Sequence, residues 1–219
     1  MAVIIQNQVN WNQVIFFINK GPDTKYENKK NNMKIKPTFF LLLILLGSCK
    51  NATKSEESLA QNNNIVIANQ FINAFYSFNK DSLSAILSEA NESRPGILFY
   101  QNWAECGNYG VLNRAEVIVK NDTLVVCPVT VRDDLIQALQ LDMHVTDTFH
   151  LGIIDGHIKS VETSSNDPEL FHEARKWVRE NLAELVEEPC KRDKENGPTP
   201  CECVKATVQG FKEFIATKQ

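Results

Sequence analysis

The sequence predicts an α+β domain, with helices and antiparallel strands segregated along the chain. Three observations predict it. An apolar helical pattern runs over Ile65–Phe78; the period changes to two between Ala115 and Ser164, punctuated by the turn signals Asn121-Asp122 and Asp155-Gly156; a helical period returns after Asp167-Pro168. At 219 residues and 43% hydrophobic content, the chain can bury a core without needing disulfides. Its net charge of −4, with acids and bases interspersed, excludes the basic stripe that nucleic acid selects. It has no dinucleotide glycine fingerprint, phosphate-binding loop or paired-Cys zinc spacing.

The first element is a targeting segment. Met33-Lys-Ile-Lys-Pro-Thr reads as a basic n-region, and Phe39–Leu46 is an apolar run too short to span a bilayer. Leu46-Gly47-Ser48-Cys49 closes it with small residues where a signal peptidase would cut. This order resembles the lipobox of bacterial lipoproteins, which implies lipidation of Cys49 and a mature chain beginning there. An ordinary secretory signal with a coincidental Cys is the alternative. Met33 reads as the translation start, which makes residues 1–32 an over-extended N-terminus; the rival reading is a genuine tail. Lys50 follows the Cys in place of the Asp that retains lipoproteins in the inner membrane, so the resemblance points to the outer membrane. Residues 50–64 are polar enough to read as a flexible linker.

Within the domain, Ile65–Phe78 places Ile65, Ala68, Phe71, Ile72, Phe75 and Phe78 around a helix with one polar stripe, Asn69, Asn73 and Ser77. Asp81 is the expected N-cap of a short second helix with Leu83, Ile86 and Leu87 inward. Ser93-Arg-Pro-Gly96 reads as a turn, Ile97–Tyr100 as a short strand or connector, and Trp103–Tyr109 as a helical turn. Ala115, Val117 and Val119 alternate on a strand, and Val125, Cys127, Val129 and Val131 on the next. Pro128 cannot donate to a ladder, which predicts an edge strand or a bulge there. Leu139–Ile153 reads as one long strand, and His157–Ser164 returns after the Asp155-Gly156 hairpin. Asp167 is expected to cap the following helix, whose apolar stripe runs from Leu170 to Leu185, and Val204–Ala216 reads as a last helix.

Helix Ile65–Phe78, strand Asp142–Ile153, the Ile154-Asp-Gly-His-Ile158 hairpin and strand Lys159–Ser164 together resemble the NTF2-like (nuclear transport factor 2-like, SnoaL-like) superfamily. The resemblance covers roughly Ile65–Ser164. It implies a cone: a curved antiparallel sheet packed on N-terminal helices, here with an extra C-terminal helix. The domain is set at 65–188, followed by a Cys-containing extension at 189–219. The superfamily hosts isomerases, dehydratases, binding proteins and assembly domains, so the fold does not name an activity.

Asp147 falls on the apolar face of the long strand with Val145 and Phe149. A carboxylate there is costly unless paired or lining a wet cavity. Raised in pKa, it could act as a general base; the bland reading is a bulge that turns it to solvent. Tyr100 and Trp103 fall near the cavity mouth if the resemblance holds, and with Met143 and Asp147 they are the candidate ligand contacts; plain core is the alternative for the aromatics. His144, His150, His157 and His172 lack Cys or carboxylate partners at ligand spacing, and no metal or cofactor is assigned. With Cys49 set aside, Cys106, Cys127, Cys190, Cys201 and Cys203 are left, and an oxidising envelope should pair some of them. Cys190 could pair with Cys201 or Cys203, and Cys106 with Cys127. Three thiolates at Cys190, Cys201 and Cys203 holding a soft metal is the other option.

These readings favour a lipid-anchored envelope protein that binds a small apolar ligand or an envelope protein without catalysis. A homodimer through the sheet is a further association open to it. The alternative is an isomerase, dehydratase or hydrolase using Asp147.

Overall fold

Asp155 and Gly156 both take positive φ, 52° and 74°. That combination makes a type I′ turn, whose twist matches paired strands, and glycine adopts it without a Cβ penalty. The turn joins two strands that pair antiparallel from Ile154↔His157 to Asp147↔Ser165. The computed structural model describes residues 52–191 and 201–219. The signal-peptide reading at 33–49 with its lipidated Cys49, the reading of residues 1–32, and the start of the linker lie outside the described residues.

In chain order these residues form α1 (Ala52–Tyr76), α2 (Lys80–Ile86), α3 (Arg94–Cys106), β1 (Gly110–Arg114), β2 (Ile118–Val119), β3 (Leu124–Arg132) and α4 (Asp134–Ala138). Then come β4 (Val145–Ile154), β5 (His157–Ser165), α5 (Glu169–Asn181), α6 (Ala183–Val186) and α7 (Cys201–Ala216). The chain is thus a mixed fold of helices and one antiparallel sheet, in the order β1-β3-β4-β5 with β2 also on β3.

Pro128 does not put its strand at an edge: β3 pairs with β4 on one side and with β1 and β2 on the other. The partner strand absorbs the missing donor instead. Pro128 has no N–H to offer, and the ladder facing it lapses between β1 and β2, where the Ala115 N–H donates to the Pro128 carbonyl at 3.1 Å. The strand expected over Ala115–Val119 is therefore reduced to Ile118–Val119, with β1 a separate strand before the gap, and the register shift falls in β1 between Val111 and Asn113.

Other expectations need correction. The stretch read as a linker is helical from Ala52, continuous with the apolar part of α1, and Asn64 ties it down by donating to the Asp122 carbonyl at 2.9 Å. Asn79, not Asp81, caps α2, accepting from the Ser82 N–H. The expected turn at Ser93–Gly96, the connector Ile97–Tyr100 and the helical turn after it are one helix, α3. Pro95 stands in the first turn, where its missing N–H needs no partner, and Ile97, Gln101 and Ala104 form its buried stripe. The long strand expected from Leu139 begins only at Val145. Ahead of it, Asp133 Oδ1 accepts from the Leu135 and Ile136 N–H groups, both at 2.9 Å, and starts α4. Asp167 does not cap α5: Pro168 holds the N-cap position, and Asp167 Oδ2 instead accepts from Ser165 Oγ at 2.6 Å.

The core lies between α1 and the inner face of the sheet. Val125, Cys127, Val129 and Val131 of β3 and Val145, Asp147, Phe149, Leu151 and Ile153 of β4 are all buried there. Phe71 and Phe75 of α1 meet Phe149 edge-on at 5.3 and 4.9 Å between centroids. Each such ring contributes about 1.5–3 kcal/mol by leaving water. The C-terminal α7 joins the same cluster: Val204, Phe211, Phe214 and Ile215 are buried, with Phe211 edge-on to Phe171 at 5.3 Å. Gly210 lets α7 approach α5, since a Cβ there would come within 2.7 Å of the Val178 side chain.

Two disulfides bind α7 to the rest. Cys190 bonds to Cys203, one of the expected pairings. Cys106 bonds to Cys201, not to Cys127, because Cys127 points from β3 into the sheet's buried face, where it is a free thiol. The thiolate metal site at Cys190, Cys201 and Cys203 is thereby corrected as well, since all three sulfurs are in disulfides.

Candidate functional site

Asp147 faces inward at 2% exposure in the regular part of the β3–β4 ladder, opposite Val129. The bulge that would have turned it to solvent is absent at this position; the register shift in β4 falls at Gly152/Ile153 instead. Strict alternation therefore delivers a carboxyl group into an aromatic environment.

Two helices supply its partners. The Tyr76 hydroxyl, at the C-terminal end of α1, donates to Asp147 Oδ2 at 2.9 Å. The Tyr100 hydroxyl, from the middle of α3, is hydrogen-bonded to the same carboxyl. Around them the rings interlock. Tyr100 lies 5.3 Å from Phe75 and 6.2 Å from Phe149, and Tyr76 lies 6.3 Å from Phe149. Tyr109 meets Tyr100 edge-on at 6.4 Å, and Trp103 is hydrogen-bonded to the Tyr109 hydroxyl.

Burial governs the electrostatics. Loss of water pushes Asp147 up to about 7, while the hydrogen bonds from Tyr100 and Tyr76 hold it lower than burial alone would. Desolvation, and then the Asp147 charge, push Tyr76 and Tyr100 well above the ordinary phenol range, so both hydroxyls stay protonated donors. Asp133, which caps α4 at 2% exposure, is raised to about 6, again chiefly by burial, with its two backbone donors pulling the other way.

The fold thus brings together two of the four expected ligand residues, Tyr100 and Asp147. Trp103 is linked to them through its hydrogen bond to Tyr109, and Met143 sits in the loop ahead of β4, packed on the core. Sequence reasoning missed Tyr76 and Tyr109. Tyr76 closes the apolar run of α1 next to Phe75 and could have been read as its polar tip; Tyr109 follows a helix end that the pattern did not mark.

The histidines are scattered. His150 Nε2 lies 3.1 Å from Ser164 Oγ, His157 Nδ1 lies 3.1 Å from Glu89 Oε1, and His144 and His172 are exposed. Glu89 also pairs with Lys159, and that hydrogen bond, with help from His157, holds its carboxyl below the usual range.

A carboxyl group near neutrality, between two neutral phenols and walled by rings, can do two things. It can grip one polar group of an otherwise apolar molecule, or it can exchange a proton with one. Compared with known proteins, the chain matches no family model, no curated protein and no solved structure at significance.

Proposed function

We propose that this is a lipid-anchored envelope protein. Its NTF2-like domain binds a small, largely apolar molecule without transforming it, at the Tyr76–Tyr100–Asp147 group. The observation that carries the reading is Asp147 itself: one carboxyl group, 2% exposed, held by two tyrosine hydroxyls in a wall of aromatic rings. Aromatic walls with a single convergent polar group are what concave ligand sites offer. Tyr76 and Tyr100 each keep part of their surface exposed, and on this reading the ligand takes the place of one of their hydroxyls on Asp147.

The cone is supported by the element order, with helices α1–α3 leading into an antiparallel sheet and α1 packed on its inner face. The anchor rests on the n-region, the apolar run and Leu46-Gly47-Ser48-Cys49. The outer membrane is the favoured location because Lys50 follows the Cys.

Two rival readings have an observation in their favour. Asp147 at about 7 is suited to general base work near neutral pH, which favours an isomerase, dehydratase or hydrolase. Val111, Leu112 and Ile118 are exposed on the β1/β2 edge, which favours a protein partner or a homodimer.

A native mass spectrum of the mature protein beside a denatured one tests the proposal. A surplus mass that disappears on denaturation and is lost in Asp147→Asn supports ligand binding. A bare monomer in both spectra contradicts it, and a bare dimer shifts the weight to the sheet edge. The N-terminal peptide tests the anchor: an acyl mass on Cys49, absent from Cys49→Ser, is expected, and an unmodified Cys49 overturns it.

A further inference from the structure

Gln101 is a buried polar side chain, 3% exposed, on the inward stripe of α3 between Ile97 and Ala104. An amide placed among apolar neighbours is costly unless its donors are met. Both protons of its Nε2 are used: one goes to the Ala74 carbonyl at 3.0 Å and one to the Phe75 carbonyl at 2.9 Å.

Those two carbonyls belong to the last turn of α1, where a helix runs out of N–H groups of its own. The chain leaves the helix at once: Phe78 takes positive φ, 56°, and its N–H turns back to the Phe75 carbonyl at 3.3 Å. Ser77 Oγ donates to the Ala74 carbonyl at 2.8 Å. A side chain on such a turn is held only as well as the turn itself. Tyr76 is that side chain, following Phe75 directly and ending α1.

Gln101 is as near to the other phenol, since it follows Tyr100 on α3. One amide therefore joins the turn that carries Tyr76 to the turn that carries Tyr100. The Phe75 and Tyr100 rings pack across the same junction, 5.3 Å between centroids. Apolar contact is non-directional. Two hydrogen bonds to consecutive carbonyls are directional, and they fix the height and rotation of α3 on α1. A slip of about 1 Å between the helices would draw a hydroxyl away from Asp147.

We propose that Gln101 is a positioning residue: its amide sets α1 against α3 so that the Tyr76 and Tyr100 hydroxyls both reach the Asp147 carboxyl. The role rests on the reading of Asp147 as the centre of the site. A group assembled from two separate helices needs such a support to hold its geometry.

Titration of the Asp147 side-chain carboxyl in the full chain, followed by carbon NMR, tests it. Gln101→Met keeps the length of the side chain and removes its donors. Both hydroxyl bonds hold the carboxyl pKa down, so loosening them is expected to raise the midpoint by about 0.5 pH or more. Gln101→Asn, too short to reach both carbonyls, is the milder second variant, with a shift of the same sign. Ile158→Ala opens a cavity at the hairpin end of the sheet, away from Asp147; it should lower stability and leave the midpoint where it was. In Tyr76→Phe/Tyr100→Phe, where neither hydroxyl is left, Gln101→Met should no longer move the midpoint. A midpoint unchanged or lowered by the Gln101 variants, an equal shift from Ile158→Ala, or a shift that persists without the hydroxyls each overturns the positioning role and leaves the Asp147 site standing. A wild-type midpoint near the ordinary carboxyl value of 3.8 overturns the site and the role together.

Discussion

The Tyr76 hydroxyl and the Asp147 carboxyl, 71 positions apart in the chain, meet at 2.9 Å between the end of α1 and the middle of β4. This bond fixes the helix on the sheet and, beside the one from Tyr100, helps satisfy a buried carboxyl group. Tyr76→Phe keeps the ring and removes only the hydroxyl. It is expected to cost about 1–3 kcal/mol, the penalty of an under-satisfied buried acceptor, and to raise the Asp147 pKa further. Chemical denaturation with a parallel titration checks both. An unchanged midpoint and pKa would show that the bond contributes nothing.

Asp147 gives the stability a pH dependence of known sign. Its pKa rises on folding from an ordinary 3.8 to about 7, so the folded state binds the proton more tightly. The stability this contributes is fully present below about pH 4 and is lost as pH rises through about 7. Asp133, raised to about 6, adds in the same direction. Asp147→Asn cannot ionise, so relative to wild type the variant should gain stability between pH 4 and 8, by about 4 kcal/mol at most. Denaturation at a series of pH values reads this, and parallel profiles for the two proteins would exclude it.

Gly210 and Val178 set the spacing of α5 and α7. Gly210→Ala drives its methyl into the Val178 side chain. Overpacking of this kind costs about 1–3 kcal/mol. Val178→Ala should recover part of that loss in the double variant, in a thermal unfolding cycle; purely additive effects would mean that the two residues do not press on each other.

The disulfides close loops of different length, 95 residues for Cys106–Cys201 and 13 for Cys190–Cys203. Chain entropy then ranks them, with removal costing about 4–5 kcal/mol for the first and about 3 kcal/mol for the second. Paired Cys→Ala variants compared by denaturation test the order. Cys127, buried and pushed up to about 11 by desolvation, should resist alkylation until the protein unfolds.

Period-two alternation made most of β3, β4 and β5 legible, and it put Asp147 on the inward face before any partner was known. Asp155-Gly156 marked its hairpin because few residue pairs accept two positive φ angles. The errors came where local chemistry has two outcomes. Arg94-Pro95-Gly96 is as good a helix start as a turn, and only the burial of Ile97, Gln101 and Ala104 against α1 and the sheet decides for the helix. Leu139–His144 has a strand-like pattern, but the Asp133 cap commits the residues before it to α4. Tyr76 and the Cys106–Cys201 pairing were illegible for one reason: each depends on which helix lies over which strand or helix, and a single sequence does not carry that distance.

The titration of the Asp147 side-chain carboxyl by carbon NMR, assigned through Asp147→Asn, tests the aromatic site most directly. A midpoint near 7, shifting upward in Tyr76→Phe, is the expected result. A midpoint near 4 with no response to Tyr76→Phe would put the carboxyl in water and contradict the site.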